Sequence, residues 1–412
     1  LKLVEVFEIE TAKIKSHKNC LEVDFPMMSY LIPFLFFLIL SFAVWVQTNF
    51  FKKQFNIQNK IFRWMLLIIL WAVAVVPSFY YRLSLRDPAE TKWIMNVHYY
   101  SIGILSSYLF FIILFKLSFL FYQKFYKKNS AQFSPERRDL LTRQLAMGIT
   151  MGSAIYGGGR HLMVDLGVKE VLIPLKNWQE SFSNLKIVQL SDLHIGPTLQ
   201  RSFILSVVEK VNALKPDMIV ITGDLVDGRV DLLKYHLLPL FDLQAPYGKY
   251  FVTGNHEYYW GISDWLSFIP QLGFKVLSNE HQMIPYLGSK ILLGGVPDFS
   301  MGQQFGTPSD PEKSIANAPL AHLKILLAHQ PKNCVLAKKA GYDLQLSGHT
   351  HAGQYFPWTW LIHFFHPYVK GLNDHLGMWV YVNAGTGLWG PLMRTDEKSE
   401  ITFIRFIKSS QS

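Results

Sequence analysis

The sequence predicts a layered α/β domain, built on one or two mixed sheets and preceded by an all-α transmembrane region. Three observations lead there. Long apolar runs separated by basic connectors fill residues 1–160. From residue 161, short apolar runs of strand length first alternate with helical patterns and then follow one another. Five short motifs bearing histidine and aspartate each stand directly after one of those strand-like runs.

The 412 residues are half hydrophobic, and all ten net positive charges lie in residues 1–160, while 161–412 is balanced. A basic excess confined to the stretches between apolar runs is a membrane-orientation signal and not a nucleic-acid footprint, so no nucleic-acid partner is expected. Cys20 and Cys334 have neither the number for a disulfide framework nor metal-site spacing.

Within 1–160 the first apolar run covers 29–46, the second 64–80 and the third 99–121, each near the ~20 residues that span a bilayer. Lys116 interrupts the third close to its end, where a lysine can reach the interface. Tyr30, Trp64, Tyr80, Tyr81, Trp93, Tyr99, Tyr100, Tyr122 and Tyr126 gather at the ends of the runs, as an interfacial belt does. Lys52, Lys53, Lys60 and Arg63 follow the first run, and Lys124, Lys127, Lys128, Arg137, Arg138 and Arg143 follow the third. The positive-inside rule therefore puts both connectors in the cytoplasm. A fourth, shorter segment, 145–157, ends in Gly157-Gly158-Gly159 and is preceded by Ser134-Pro135-Glu136-Arg137-Arg138-Asp139-Leu140-Leu141, a string like a twin-arginine export signal. If this segment crosses, the following domain lies outside the cytoplasm; if it rests at the interface, the domain faces the cytoplasm. The arginine pair and the small-residue run favour crossing. Met27-Met28 stands directly before the first apolar run, so translation is expected to start there.

In 161–412, Leu185–Leu190, Met218–Thr222 and Tyr250–Thr253 read as buried strands, with a helix of 3.6-residue periodicity over Ser202–Leu214 ending before Pro216. Lys290–Gly294, Leu323–Ala328, Leu344–Leu346, Trp379–Asn383 and Ile401–Phe406 are further strand candidates. The motifs stand at the ends of these runs: Asp192-Leu193-His194, Gly223-Asp224, Gly254-Asn255-His256-Glu257, His329, and Gly348-His349-Thr350-His351. In an extended segment residues i and i+2 share a face, so Asp192 with His194, and His349 with His351, present their side chains to one side. Gly223 lets the backbone come close to a site. Asn255 offers a neutral oxygen donor that adds no further negative charge, and His256 beside it is placed to act on a substrate. Imidazole, carboxylate and amide oxygen together suit Mn, Fe or Zn. A carboxylate shared between two such ions at about 3.5–4 Å is the arrangement for in-line displacement at phosphorus.

Five such motifs in this order resemble the calcineurin-like metallophosphoesterase superfamily over about residues 184–407. The resemblance implies a four-layer αββα sandwich with a dinuclear centre at the strand ends. It implies that Asp192, His194 and His351 hold one divalent ion, that Asn255, His329 and His349 hold the other, that Asp224 bridges them, and that His256 is the catalytic histidine. Hydroxide generated at the two ions would attack phosphorus in line, with His256 protonating the leaving oxygen. His-Thr-His-Ala-Gly-Gln at 349–354, with Asn383-Ala384-Gly385-Thr386-Gly387, Pro391 and Arg394, is similar to the membrane-anchored bacterial branch, some members of which cleave UDP-diacylglucosamine. That implies a multi-pass protein of the bacterial inner membrane acting on a phosphate ester or pyrophosphate, lipid-linked or of the envelope. The branch's proline-containing turn before the last strand is replaced here by Thr395-Asp396-Glu397-Lys398-Ser399.

Two other functions fit the sequence: a membrane-anchored phosphatase or phosphodiesterase of soluble substrates, and a non-catalytic membrane sensor. The sensor predicts a damaged motif, whereas all seven ligands and His256 are present. Several neighbours have two readings each. Asp227 either supports the site or, with Gly228, makes a turn. Glu257 either orients His256 or caps a helix. The aromatic stretch 355–365 either packs the core or exposes an apolar surface for membrane or acyl chains. His363 and His366, i and i+3 within and just after it, either take part in metal binding or belong to that loop. His161, His236, His281, His322 and His375 have no motif context.

Overall fold

The computed structural model describes residues 88–126, 166–394 and 398–409, with scattered positions between 41 and 152. The expected membrane segments 29–46, 64–80 and 145–157 lie, apart from those positions, outside the described residues, as does the stretch before Met27. The chain forms two units, Leu1–Phe42 and Ala43–Ser412, and all that follows concerns the second.

Helix α1 runs Pro88–Tyr126, 39 residues, or roughly 58 Å at 1.5 Å per residue. Proline suits a first helical turn because its missing N–H would be unpaired there anyway, and Glu90 in that turn complements the helix dipole. The apolar run 99–121 is thus part of a longer helix, whose first turns carry Glu90 and Lys92. Over Glu90–Ser118 it is long and apolar enough to cross a membrane.

Two six-stranded mixed sheets follow. The first has the order β1 (Leu166–Leu175), β12 (Ser399–Lys408), β2 (Ile187–Leu190), β3 (Met218–Thr222), β4 (Lys249–Val252), β5 (Phe274–Val276). The second has the order β10 (Gly371–His375), β11 (Met378–Val382), β9 (Leu344–Ser347), β8 (Leu323–Leu327), β7 (Ser289–Gly295), β6 (Glu280–Tyr286). Strands β2 to β5 are mutually parallel, as are β7, β8, β9 and β11, whereas β12 runs antiparallel to β2 and each of β6 and β10 antiparallel to its one neighbour.

Three apolar layers bind this together. Ile187, Val220 and Val252 of the first sheet meet Ile291, Ile325 and Leu346 of the second, which makes the sheets stack face to face. On the outer side of the first sheet, Val188, Ile221 and Phe251 pack against helices α2 (Arg201–Ala213), α3 (Val230–Leu237) and, beyond the short α4 (Asn255–Tyr259), α5 (Ile262–Phe268). On the outer side of the second sheet, Leu292, Leu326 and Val380 cover Ala337 of helix α7 (Cys334–Ala340), next to α6 (Pro311–Ile315). Strands β2, β3 and β9 are buried at every position, and β4, β7 and β8 at all but one lysine each, which explains their mainly apolar sequences. Phe251 is fully buried in β4. Phe251→Ala is expected to cost about 3–5 kcal/mol, read as a lowered midpoint in urea unfolding of the full chain followed by tryptophan fluorescence.

Candidate metal centre

All five motifs leave the carboxyl ends of parallel strands: Asp192 follows β2, Asp224 β3, Asn255 β4, His329 β8 and His349 β9. Parallel strands end on one side, so each sheet delivers its donors to a common rim. The backbone there is strained. Asp192, His194, Asp224, His349 and His351 all have φ between 48° and 73°, a region that non-glycine residues visit rarely and that clusters at functional sites. A Cβ on Gly254 would run into the Asp224 carboxylate of the neighbouring loop of the same sheet, and one on Gly348 into Ser191 and Asp192, so Gly348 is where the two sheets' loops touch.

The structure brings the seven expected ligands together in two adjoining groups, with His256 beside them. In one, His194 Nε2 lies 3.0 Å from His351 Nε2, and Asp192 Oδ1 3.5 Å from His351 Nε2. In the other, His329 Nε2 lies 3.2 Å from Asp224 Oδ2, 3.2 Å from Asn255 Oδ1 and 3.1 Å from His349 Nδ1. Asp224 Oδ2 stands between the groups, 3.8 Å from His194 Nε2 and 3.9 Å from His256 Nε2. Hydrogen bonds fix the orientations: His329 Nδ1 donates to the Thr222 carbonyl at 2.7 Å, leaving Nε2 to face the cluster, and the Asp192 carboxylate accepts the His349 N–H at 3.0 Å.

This donor set fits divalent cations. Asp192, Asp224 and His329 are at most 3% exposed, so water cannot compensate the two carboxylates. The facing imidazole nitrogens present lone pairs to a common point. Burial, reinforced by the neighbouring His329 and His194 imidazoles, pushes His349 and His351 well below the usual histidine range. They are therefore neutral, which is the form that ligates.

His256 is oriented differently. Its backbone N–H donates to Asp224 Oδ1 at 2.9 Å, and its Nδ1 lies 2.5 Å from Asp227 Oδ1. Burial would lower its pKa, but Asp224 and Asp227 outweigh burial and raise it to about 9. Asp227 is thus part of the site and not merely a turn residue. Burial would raise its carboxyl, yet His194, 3.2 Å away at Nδ1, and His256 hold it well below the usual range. Asp227→Asn is expected to cut kcat about 10–100-fold, because the amide cannot hold the imidazolium; unchanged kcat in a steady-state assay would contradict that role.

Glu257 takes the capping reading. Its carboxylate accepts the backbone N–H groups of Gly254, Asp224 and Leu225 at 2.7–3.1 Å, closing the start of α4 and pinning the Asp224 turn. His363 is exposed. His366 packs edge-on against His349, ring centroids 5.0 Å apart. His236, His281 and His322 form hydrogen bonds elsewhere in the fold. The aromatic stretch divides: Tyr355 is buried, whereas Trp358, Trp360, Phe364 and Phe365 are exposed.

Two stacked mixed sheets with buried histidine and aspartate donors at their strand ends have the build of a metal-dependent hydrolase. Residues 185–353 match the family model for calcineurin-like phosphoesterase. The chain is 36% identical over 323 residues to an uncharacterized metallophosphoesterase of Helicobacter pylori strain J99, covering 77% of this chain and 85% of that one. It is 33% identical over 356 residues to a Danio rerio protein named transmembrane protein with metallophosphoesterase domain, covering 83% and 80%. The chain belongs to the calcineurin-like metallophosphoesterase family and is a hydrolase acting on phosphoester bonds.

Proposed function

We propose that this chain is a membrane-anchored phosphoesterase that works with two divalent cations, Mn, Fe or Zn, on a lipid-linked or envelope phosphate ester or pyrophosphate. The observation that carries the two-cation reading is the position of Asp224 Oδ2 between the two donor groups. Asp192, His194 and His351 would hold one ion, Asn255, His329 and His349 the other, and Asp224 both. Cations bound there supply a nucleophile from water near neutral pH and offset the negative charge of the phosphoryl group.

The chain's own residues do the rest. His256 presents Nε2 to the leaving-group side with its proton in place, while Asp227 holds Nδ1 and keeps the ring in one orientation. Trp389 stands edge-on to the His256 ring at 5.9 Å, giving the leaving group an apolar neighbour. Glu257 keeps the Asp224 turn rigid, so the shared carboxylate needs no rearrangement during reaction.

Membrane anchoring is supported by α1 and by the name of the Danio rerio relative. Placement in a bacterial inner membrane rests on the resemblance to the membrane-anchored bacterial branch, and a domain on the outer face on the basic connectors together with a crossing of segment 145–157. Chelation is expected to abolish hydrolysis of both a soluble phosphodiester and a UDP-linked diacyl sugar in vesicles, with added Mn restoring both and the lipid preferred in kcat/KM. Turnover indifferent to chelator would refute the metal reading, and preference for the soluble ester would refute the lipid one.

A further inference from the structure

The segment 355–366 joins α1 to the candidate metal centre. At its start, Tyr355 Oη lies 3.3 Å from Ser106 Oγ, and the Phe356 carbonyl accepts from Ser107 Oγ at 3.4 Å. Phe110 of the same helix meets Phe356 edge-on at 4.9 Å and Trp360 at 6.4 Å. At its end, His366 rests on His349. Between these anchors, Trp358, Trp360, Phe364 and Phe365 are 44%, 56%, 70% and 61% exposed, and Trp360 and Phe364 pack edge-on at 5.6 Å. Trp389, 53% exposed, belongs to the same face. Gln354 ties the two segments together: its Nε2 donates to the Trp389 carbonyl at 3.0 Å, and its Oε1 accepts the Trp389 N–H at 3.0 Å.

Exposed aromatic rings on this scale mark a surface that is covered by something. Continuity identifies the cover. Beyond Phe110, helix α1 exposes Ile113, Leu114, Leu117, Leu120 and Phe121, and the ring-bearing segment packs against that helix at Phe110 itself. Met95, Leu105 and Tyr108 of α1 are buried, so the turns beyond Phe110 are the ones left to enter lipid; tryptophan and phenylalanine beside them are the residues that settle in the boundary between headgroups and acyl chains.

Resting on the membrane-anchored reading above, we propose that the Trp358–Phe365 segment is a membrane-docking element embedded in the lipid bilayer that α1 enters. It would hold the centre at headgroup depth, so that a headgroup phosphate reaches the metal ligands while its acyl chains stay in the bilayer. Because one end of the segment touches His349 and its companion Trp389 touches His256, the docked surface and the reacting groups are separated by single side chains.

The test uses the full chain with Cys20→Ser and Cys334→Ala, carrying an environment-sensitive fluorophore on Phe364→Cys, reconstituted in phosphatidylcholine–phosphatidylglycerol vesicles. A second protein carries it on Phe365→Cys. A control carries it on Leu376→Cys, in the β10–β11 turn at the opposite end of the sheet from the metal centre. Labels at 364 and 365 are expected to be quenched at least about twofold by lipids spin-labelled high on the acyl chain and hardly by aqueous iodide, and the label at 376 the reverse. Iodide quenching at 364 and 365 would overturn the proposal. Protection from both quenchers would assign the face to another protein surface and overturn it equally. Manganese-dependent hydrolysis of bis(p-nitrophenyl) phosphate by the unsubstituted chain tests the hydrolase reading separately, so docking and catalysis can each fail alone.

Discussion

Asp224→Asn is expected to strip the centre of metal, lowering the bound content from two ions per chain to one or none and reducing turnover to background. Asp224 is 3% exposed, and its Oδ2 is close to both donor groups, 3.2 Å from His329 Nε2 and 3.8 Å from His194 Nε2. Its Oδ1 is already engaged with the His256 backbone N–H. An amide removes the negative charge and has a single oxygen. If that oxygen keeps the His256 N–H, an NH2 group faces two imidazole nitrogens; if it turns inward, the His256 bond is lost. Either way a buried polar group is left mismatched, which costs more than the bond itself. Elemental analysis after dialysis reads the result directly. Retention of both ions would remove Asp224 from its bridging place.

His256→Ala should behave in the opposite way, keeping both ions and losing about 10²–10⁴-fold in kcat. The His256 side chain lies beside the donor groups, not within either: its Nε2 is 3.9 Å from Asp224 Oδ2, and its Nδ1 is taken up by Asp227. Removing the ring therefore takes away a proton donor and leaves the metal ligands whole. A leaving group that needs no protonation, such as p-nitrophenolate, should be much less affected than an alcohol. Equal losses on both, or loss of metal, would contradict the assignment.

The eight interior strands were legible in the sequence, and the four edge strands were not. Strands β2, β3, β4, β7, β8, β9, β11 and β12 each bury enough apolar surface to leave a recognisable run. Strands β1, β5, β6 and β10 are the outer strands of the two sheets. Their exposed faces carry residues such as Lys169, Lys275, Pro285 and Asp374, which interrupt the apolar pattern, although β1 keeps the run Val171–Leu175 after its charged first half; charged and proline residues there also discourage pairing with another chain. The histidine and aspartate motifs were visible because each follows an interior strand. Asp227 was ambiguous, since Asp-Gly marks a turn and a turn is also what carries its carboxylate to His256. Glu257 resolved as a cap because three backbone N–H groups converge on it, a pattern that no local spacing reveals. The place of the aromatic segment against α1 depends on contacts across about 250 positions, as between Ser106 and Tyr355, and one sequence carries no trace of such a pairing.

The most direct measurement is a manganese titration of metal-stripped full-length protein, following hydrolysis of a soluble phosphodiester. Turnover is expected to stay at background until metal is added, to plateau at two equivalents per chain, and to be absent throughout in Asp224→Asn. A plateau at one equivalent, or full activity in the stripped protein, would contradict a two-cation centre shared through Asp224.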